Sequence, residues 1–256
     1  MTVGAVSSGW SPFGEDADHS FPAITTRGQL SGFGSASELS ADTDGDWEID
    51  DTEELFVFIH GWGPDDGEAR SQAETAQRGL SEYHPLPVVA FSWDGEGRWS
   101  TVTDNADANA EPLAEWLVEF HESDGRPVHL LGYSLGSRVA CETLSVLVDD
   151  GRSNAIDSVS LLGAAIDGNS VEQGRQYGDS IEAFDSPVAN FYSQHDSVLA
   201  RLFDGEQAAL GQHGITDPDA KPSGYEDVDV SETVADHHSY HRPDVGCMDR
   251  VVDAIF

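Results

Sequence analysis

The chain has 256 residues, with 48 Asp plus Glu against 12 Lys plus Arg, giving a formal net charge of -36. That charge excludes a nucleic-acid backbone or an anionic membrane surface as a direct partner, because like charges repel. An acidic excess often signals disorder, but 38% apolar residues, six Trp and eleven Phe are enough to build a core.

Residues 1–54 read as an N-terminal stretch of short strands and acidic loops leading into a sheet, with strand-like pieces at 21–27 and 47–50. Residues 55–256 read as the core of one domain. Leu55–Ile59, LFVFI, is a continuous apolar run, which marks a strand buried on both faces. Ala69, Ala73, Ala76, Leu80 and Tyr83 recur every three or four residues and form one stripe of a helix. PVVAF at 87–91 is the next strand. Leu113, Trp116, Leu117 and Phe120 mark a second helix, with Pro112 near its start. PVHLL at 127–131 is a third strand, followed by a helix carrying Val139, Ala140, Thr143, Leu144 and Leu147. Further strands are expected at 156–162 and 187–192, and a closing helix at 244–255. This alternation predicts an α/β fold, a mostly parallel central sheet with helices on both faces.

Cys141 and Cys247 are too few for a disulfide framework and read as buried free thiols in helices. No apolar run reaches the roughly 20 residues needed to cross a bilayer. The first ten residues show no export signal. The expectation is a cytoplasmic chain without a membrane span. The Asp-rich, Lys-poor composition, with Lys221 the sole lysine, resembles that of proteins from extreme halophiles. At about 1 M salt the screening length falls to roughly 3 Å, which removes most surface repulsion.

Gly132-Tyr133-Ser134-Leu135-Gly136 lies between the third strand and its helix. In a G-x-S-x-G turn the glycines let strand and helix approach, and the turn lifts the serine above the sheet edge at a helix N-terminus. There the helix dipole favours developing negative charge.

With GYSLG, the segments FIHGWG (58–63), FSW (91–93) and HHSY (237–240) resemble the α/β-hydrolase superfamily on its esterase and lipase side, as a strongly acidic, halophile-type member. The resemblance covers roughly residue 55 to the C-terminus and implies a serine hydrolase that cleaves a carboxylic ester through an acyl-enzyme. By resemblance, the backbone N–H groups of Trp62 and Leu135 form the oxyanion hole, and His60 is structural. Ser134 is the nucleophile. Chain order then requires an acid and a histidine. Asp196, after the 187–192 strand, is preferred as the acid over Asp167, and His238 as the base over His237. A thioesterase, lipase or acyltransferase would use the same machinery, and a non-catalytic binding module on the same fold is the rival from another class.

No cofactor or metal is implied. Residues 42–53 match several calcium-loop positions, but Trp47 stands where the loop needs glycine. Trp62, Trp93 and Trp99 follow strand ends and are candidates for lining an acyl pocket. The 168–186 insertion is too short for a large lid, so little or no lid is expected. The expected partner is a small-molecule ester or thioester.

Overall fold

A computed structural model describes residues 20–29, 39–47, 49, 52–203 and 208–256. Among them run eight strands: β1 (Ala23–Thr25), β2 (Asp42–Asp44), β3 (Leu55–Ile59), β4 (Val88–Ser92), β5 (Val128–Tyr133), β6 (Ser158–Leu162), β7 (Val188–Tyr192) and β8 (Tyr225–Asp229). They form one sheet in the order β2-β1-β4-β3-β5-β6-β7-β8. Every neighbouring pair is parallel except β1 with β2. This is the expected α/β-hydrolase architecture. β1 and β2, from the N-terminal stretch, extend the same sheet.

Parallel strands need crossovers, and helices supply them: α1 (Asp66–Ser81), α2 (Trp99–Ala108), α3 (Ala110–Ser123), α4 (Gly136–Asp149), α5 (Gly178–Ala183), α6 (Leu199–Leu202) and α7 (Leu210–His213), while α8 (Met248–Ile255) follows the last strand. Alternate residues of β3 explain why its run is unbroken. Leu55, Val57 and Ile59 join a core with Leu117, Val139 and Leu144 of α3 and α4. Phe56 and Phe58 join a second core with Ala73, Ala76 and Leu80 of α1 and Val251 of α8. The period of two thus feeds both faces, and each fully buried Phe stabilises the fold by about 1.5–3 kcal/mol.

The helix stripes fall where periodicity puts them, with shifts at the ends. α1 starts at Asp66 because the Asp65 side chain accepts the Glu68 N–H at 2.9 Å. Pro112 sits in the first turn of α3. The closing helix begins at Met248 rather than 244, so Cys247 caps it, while Cys141 lies inside α4; both thiols are free and buried. The strand expected at 47–50 is instead Asp42–Asp44, with Trp47 outside it, while residues 48 and 50 lie outside the described residues. Residues 42–53, weighed as a calcium loop, therefore begin as an edge strand, and Asp44 pairs with Arg70. Among the described residues no cluster of three His, Cys, Asp or Glu side chains is arranged for a metal ion.

Candidate active site

The β5–α4 turn carries Ser134 at φ 55, the only positive φ on a described non-glycine residue. That strain costs on the order of 1 kcal/mol and is held by hydrogen bonds on both sides of the residue. The Ser134 N–H donates to Leu162 O at 2.9 Å, and Ser134 O accepts from Ser137 N and Ala165 N, each at 3.1 Å. The flanking glycines are required by close approach. A Cβ on Gly132 would stand 2.8 Å from Ser137 Cα, and one on Gly136 would stand 2.1 Å from Ile59 O.

Three segments far apart in sequence meet here. His237 Nε2 lies 2.9 Å from Ser134 Oγ, and His237 Nδ1 lies 2.6 Å from Asp196 Oδ2. A carboxylate only accepts, so Nδ1 carries the proton and Nε2 is free to accept from the serine hydroxyl. Asp196 is wholly buried after β7, and its Oδ1 accepts the Val198 and Leu199 N–H groups at 3.1 and 3.0 Å. The histidine loop is fixed by two tyrosines. Tyr133 OH donates to His237 O at 2.8 Å, and Tyr240 OH donates to Gly211 O at 3.0 Å while accepting from Ser193 N at 3.0 Å. Burial, with the Asp196 charge adding to it, pushes both phenols well above their usual range, so they remain donors.

The preference for His238 is not what the geometry supports. His238 is exposed, and its Nδ1 lies 3.5 Å from Tyr133 OH rather than against Ser134. Its pKa is lowered by desolvation and by the neighbouring His237. Asp167 is also exposed, and its backbone bridges to Ala209. His195, though adjacent to Asp196, is exposed as well.

The loop after β3 passes over the elbow, close enough that a Cβ on Gly61 would stand 2.7 Å from Ser134 Cβ. Among the described residues the backbone N–H groups of Trp62 and Leu135 have no protein acceptor. Leu135 occupies the cap position of α4, which has no side-chain cap, so its N–H is one of the orphan donors of a helix start. The loop is held from behind by His60, expected to be structural, and by Arg27, which sequence reasoning did not single out. His60 Nδ1 donates to Gly61 O at 2.8 Å, so Nε2 is the acceptor for Trp93 N–H at 3.2 Å. Arg27 from the end of β1 donates to Pro64 O at 2.7 Å and reaches His60 Nε2 at 3.3 Å. Burial, and after it the Arg27 charge, pushes His60 down to about 3, so the ring is neutral and serves as a strut.

A cavity of about 120 Å³ opens over Ser134 and His237. Trp62 and Trp99 line it edge to face, with ring centroids 5.5 Å apart, and Val198 and Leu202 add to the same wall. Trp93 does not line it; it is wholly buried, stacked on His60 at 5.3 Å. No residue of the 168–186 insertion lines the cavity; its cover comes instead from the segment after β7. A larger hollow of about 520 Å³ lies at the other end of the strands, lined by Phe21, Leu86 and Val88, and contains none of the three facing groups.

Among solved structures, the mature lipase BlEst2 of Bacillus licheniformis superposes with a TM-score of 0.51 at 14% identity, covering 82% of this chain and 94% of that one. At that identity the likeness is one of fold. Among curated proteins, the rice (Oryza sativa subsp. japonica) transmembrane and coiled-coil domain-containing protein STS1 is 30% identical over 163 residues, which is 60% of this chain and 24% of that protein. An uncharacterized membrane protein of Schizosaccharomyces pombe is 27% identical over 157 residues, 61% of this chain and 19% of that protein. The chain thus spans about a quarter of the rice protein's length and, in a longer match over 248 residues at 24% identity, 40% of the S. pombe protein's. Both relatives are named as membrane proteins, which corrects the expectation of a chain with no membrane span. Among the described residues, no helix is long and apolar enough to cross a membrane. The match over residues 75–253 makes the chain a member of the family described as "Protein of unknown function (DUF726)".

Proposed function

We propose that the protein is a serine hydrolase that cleaves a carboxylic ester through an acyl-enzyme, with Ser134 as nucleophile, His237 as general base and acid, and Asp196 as its orienting carboxylate. The observation that carries the reading is the unbroken chain of contacts Ser134 Oγ to His237 Nε2 at 2.9 Å and His237 Nδ1 to Asp196 Oδ2 at 2.6 Å, on a strained strand–helix turn. A serine hydroxyl is a weak nucleophile until a base takes its proton, and this arrangement supplies the base already oriented.

In the acylation step the Ser134 hydroxyl proton passes to His237 Nε2 as Oγ bonds to the ester carbonyl carbon. The carbonyl oxygen becomes an oxyanion, for which the N–H groups of Trp62 and Leu135 are the proposed donors; losing one such donor costs about 3–4 kcal/mol. The bond from carbon to the leaving alcohol oxygen then breaks, and His237 gives its proton to that oxygen. In deacylation, water gives a proton to His237 and its oxygen to the acyl carbon, and Ser134 recovers the proton as the acid leaves. Asp196 stabilises the imidazolium in both halves. A thioester would follow the same steps with a thiol leaving. The acidic composition supports a salt-rich working solvent as part of the same reading.

A fluorophosphonate probe tests the reading. Ser134 is expected to be labelled in the folded protein at molar KCl, with labelling lost in Ser134→Ala and reduced more than about a hundredfold in His237→Ala. A folded wild-type chain that stays unlabelled rules it out.

A further inference from the structure

The cavity above Ser134 has two unlike walls. Trp62, Trp99, Val198 and Leu202 line one, and Trp99 packs with Phe203 and Leu199 in the small apolar cluster beside α6. Gln72 and His238 line the cavity as well, and they come from elements on the other face of the sheet. Gln72 follows the buried stripe of α1, whose neighbours Ala73 and Ala76 share a core with Tyr133, Tyr240 and Met248, the residues that back the histidine loop.

Of the residues that line the cavity, Gln72 is the one with a buried polar atom left unmatched; Thr143, Ser160, Asn190 and His241 also carry such atoms, but none of them lines the cavity. The Gln72 Oε1 is buried, and the side-chain amide makes no hydrogen bond to any described residue. Whichever way the amide is turned, a buried polar group is left unmatched, which costs free energy in the unliganded protein. Such orphans persist where something else supplies the partner.

Which part of an ester lies beside Gln72 follows from the proton inventory. His237 must reach the leaving oxygen to protonate it, so the alcohol lies on the histidine side of the cavity, and α1 is on that side. The acyl chain is left with the tryptophan wall. At about 120 Å³ the cavity is small for a ligand site, which favours a short acyl chain over a long one.

Resting on the hydrolase reading, we propose that Gln72 is a specificity-determining residue that hydrogen-bonds a hydroxyl or amide on the alcohol part of the substrate, making the preferred substrates short-chain acyl esters of polyols. The amide offers both a donor and an acceptor, which suits a hydroxyl that does both. A site that leaves its polar group unpaired with an apolar analogue discriminates strongly against that analogue.

The test compares glycerol 1-monobutyrate with propyl butyrate, which share a carbon skeleton and differ in two hydroxyls. The wild-type kcat/KM ratio is expected to favour the glycerol ester by about tenfold or more. In Gln72→Leu and Gln72→Met the ratio is expected to fall to within about threefold of one. Any general loss of folded enzyme cancels in the ratio, so a poorly folding variant does not obscure the result. A wild-type ratio below about two, or a ratio unchanged in both variants, overturns the proposal. Probe labelling of Ser134 with turnover of neither ester overturns the substrate class while leaving the hydrolase reading intact. Absence of labelling removes both.

Discussion

The side chain of Asp236 accepts the His238 N–H at 2.9 Å, and its backbone carbonyl accepts the Ser239 N–H at 3.2 Å. This turn, together with the bond from Tyr133 OH to His237 O, directs the first histidine of the pair inward and the second toward solvent. His237 and Tyr240 are three residues apart and both buried, so they share the inner side of the turn. For His237→Ala we expect kcat on a short acyl ester to fall by about 10⁴-fold or more, and for Asp196→Asn by roughly 10³–10⁴-fold. His238→Ala should cost less than about tenfold and Asp167→Asn less than about threefold; a larger loss in either than in its counterpart would reassign the base or the acid. Ser134 was legible because its glycines are required sterically, and Asp196 because it follows a strand end. The choice between adjacent histidines depends on the Asp236 turn and the Tyr133 hydroxyl, long-range facts that periodicity does not encode. Gln72 was illegible for a different reason: a polar residue on an amphipathic helix ordinarily faces water.

At the scale of elements, the site depends on how closely α4 lies on β3. Gly136 touches the end of β3 so tightly that an added Cβ would stand 2.1 Å from Ile59 O and 2.7 Å from His60 O. Both obstacles are backbone in a buried strand end, so neither can swing aside as a side chain would. Gly136→Ala is therefore expected to destabilise the fold by more than about 3 kcal/mol, beyond ordinary overpacking, and to displace the loop that carries Trp62. Urea unfolding monitored by Trp fluorescence reads this out; a midpoint within error of wild type would mean that α4 can move away freely. The same packing explains which elements the sequence disclosed. β3, β4 and β5 are buried along their whole length and so read as apolar runs. β8, YEDVD, buries only Tyr225 and Val228 at the sheet edge, and three acids hide its pattern. α2, WSTVTDNADA, buries only Val102 and Ala106, leaving too narrow a stripe to see.

For the molecule as a whole, the net charge of -36 counts the acids that no lysine or arginine offsets. Some of the cations are committed locally at the surface, Arg138 to Asp107 and Arg152 to Glu122 among them. Added salt acts on the two populations with opposite signs. It weakens the exposed pairs, each contributing only about 0–1 kcal/mol, and it relieves repulsion among the many unpaired carboxylates that folding brings together. With so many more of the second kind, relief wins, and stability should rise with ionic strength. The screening length falls from about 10 Å at 0.1 M to about 3 Å at 1 M, so most of the gain should come below 1 M. Several kcal/mol of relief corresponds to a melting temperature higher by roughly 10 °C for a chain of this size. Chloride is the salt to use, because sulfate strengthens apolar burial by a separate route. A melting curve that rises steeply from 0.1 to 1 M KCl and then flattens supports charge screening. A steady rise continuing to 3 M points instead to preferential exclusion of the salt, and a melting temperature unchanged from 0.1 to 2 M would refute the salt-rich solvent inferred from the composition.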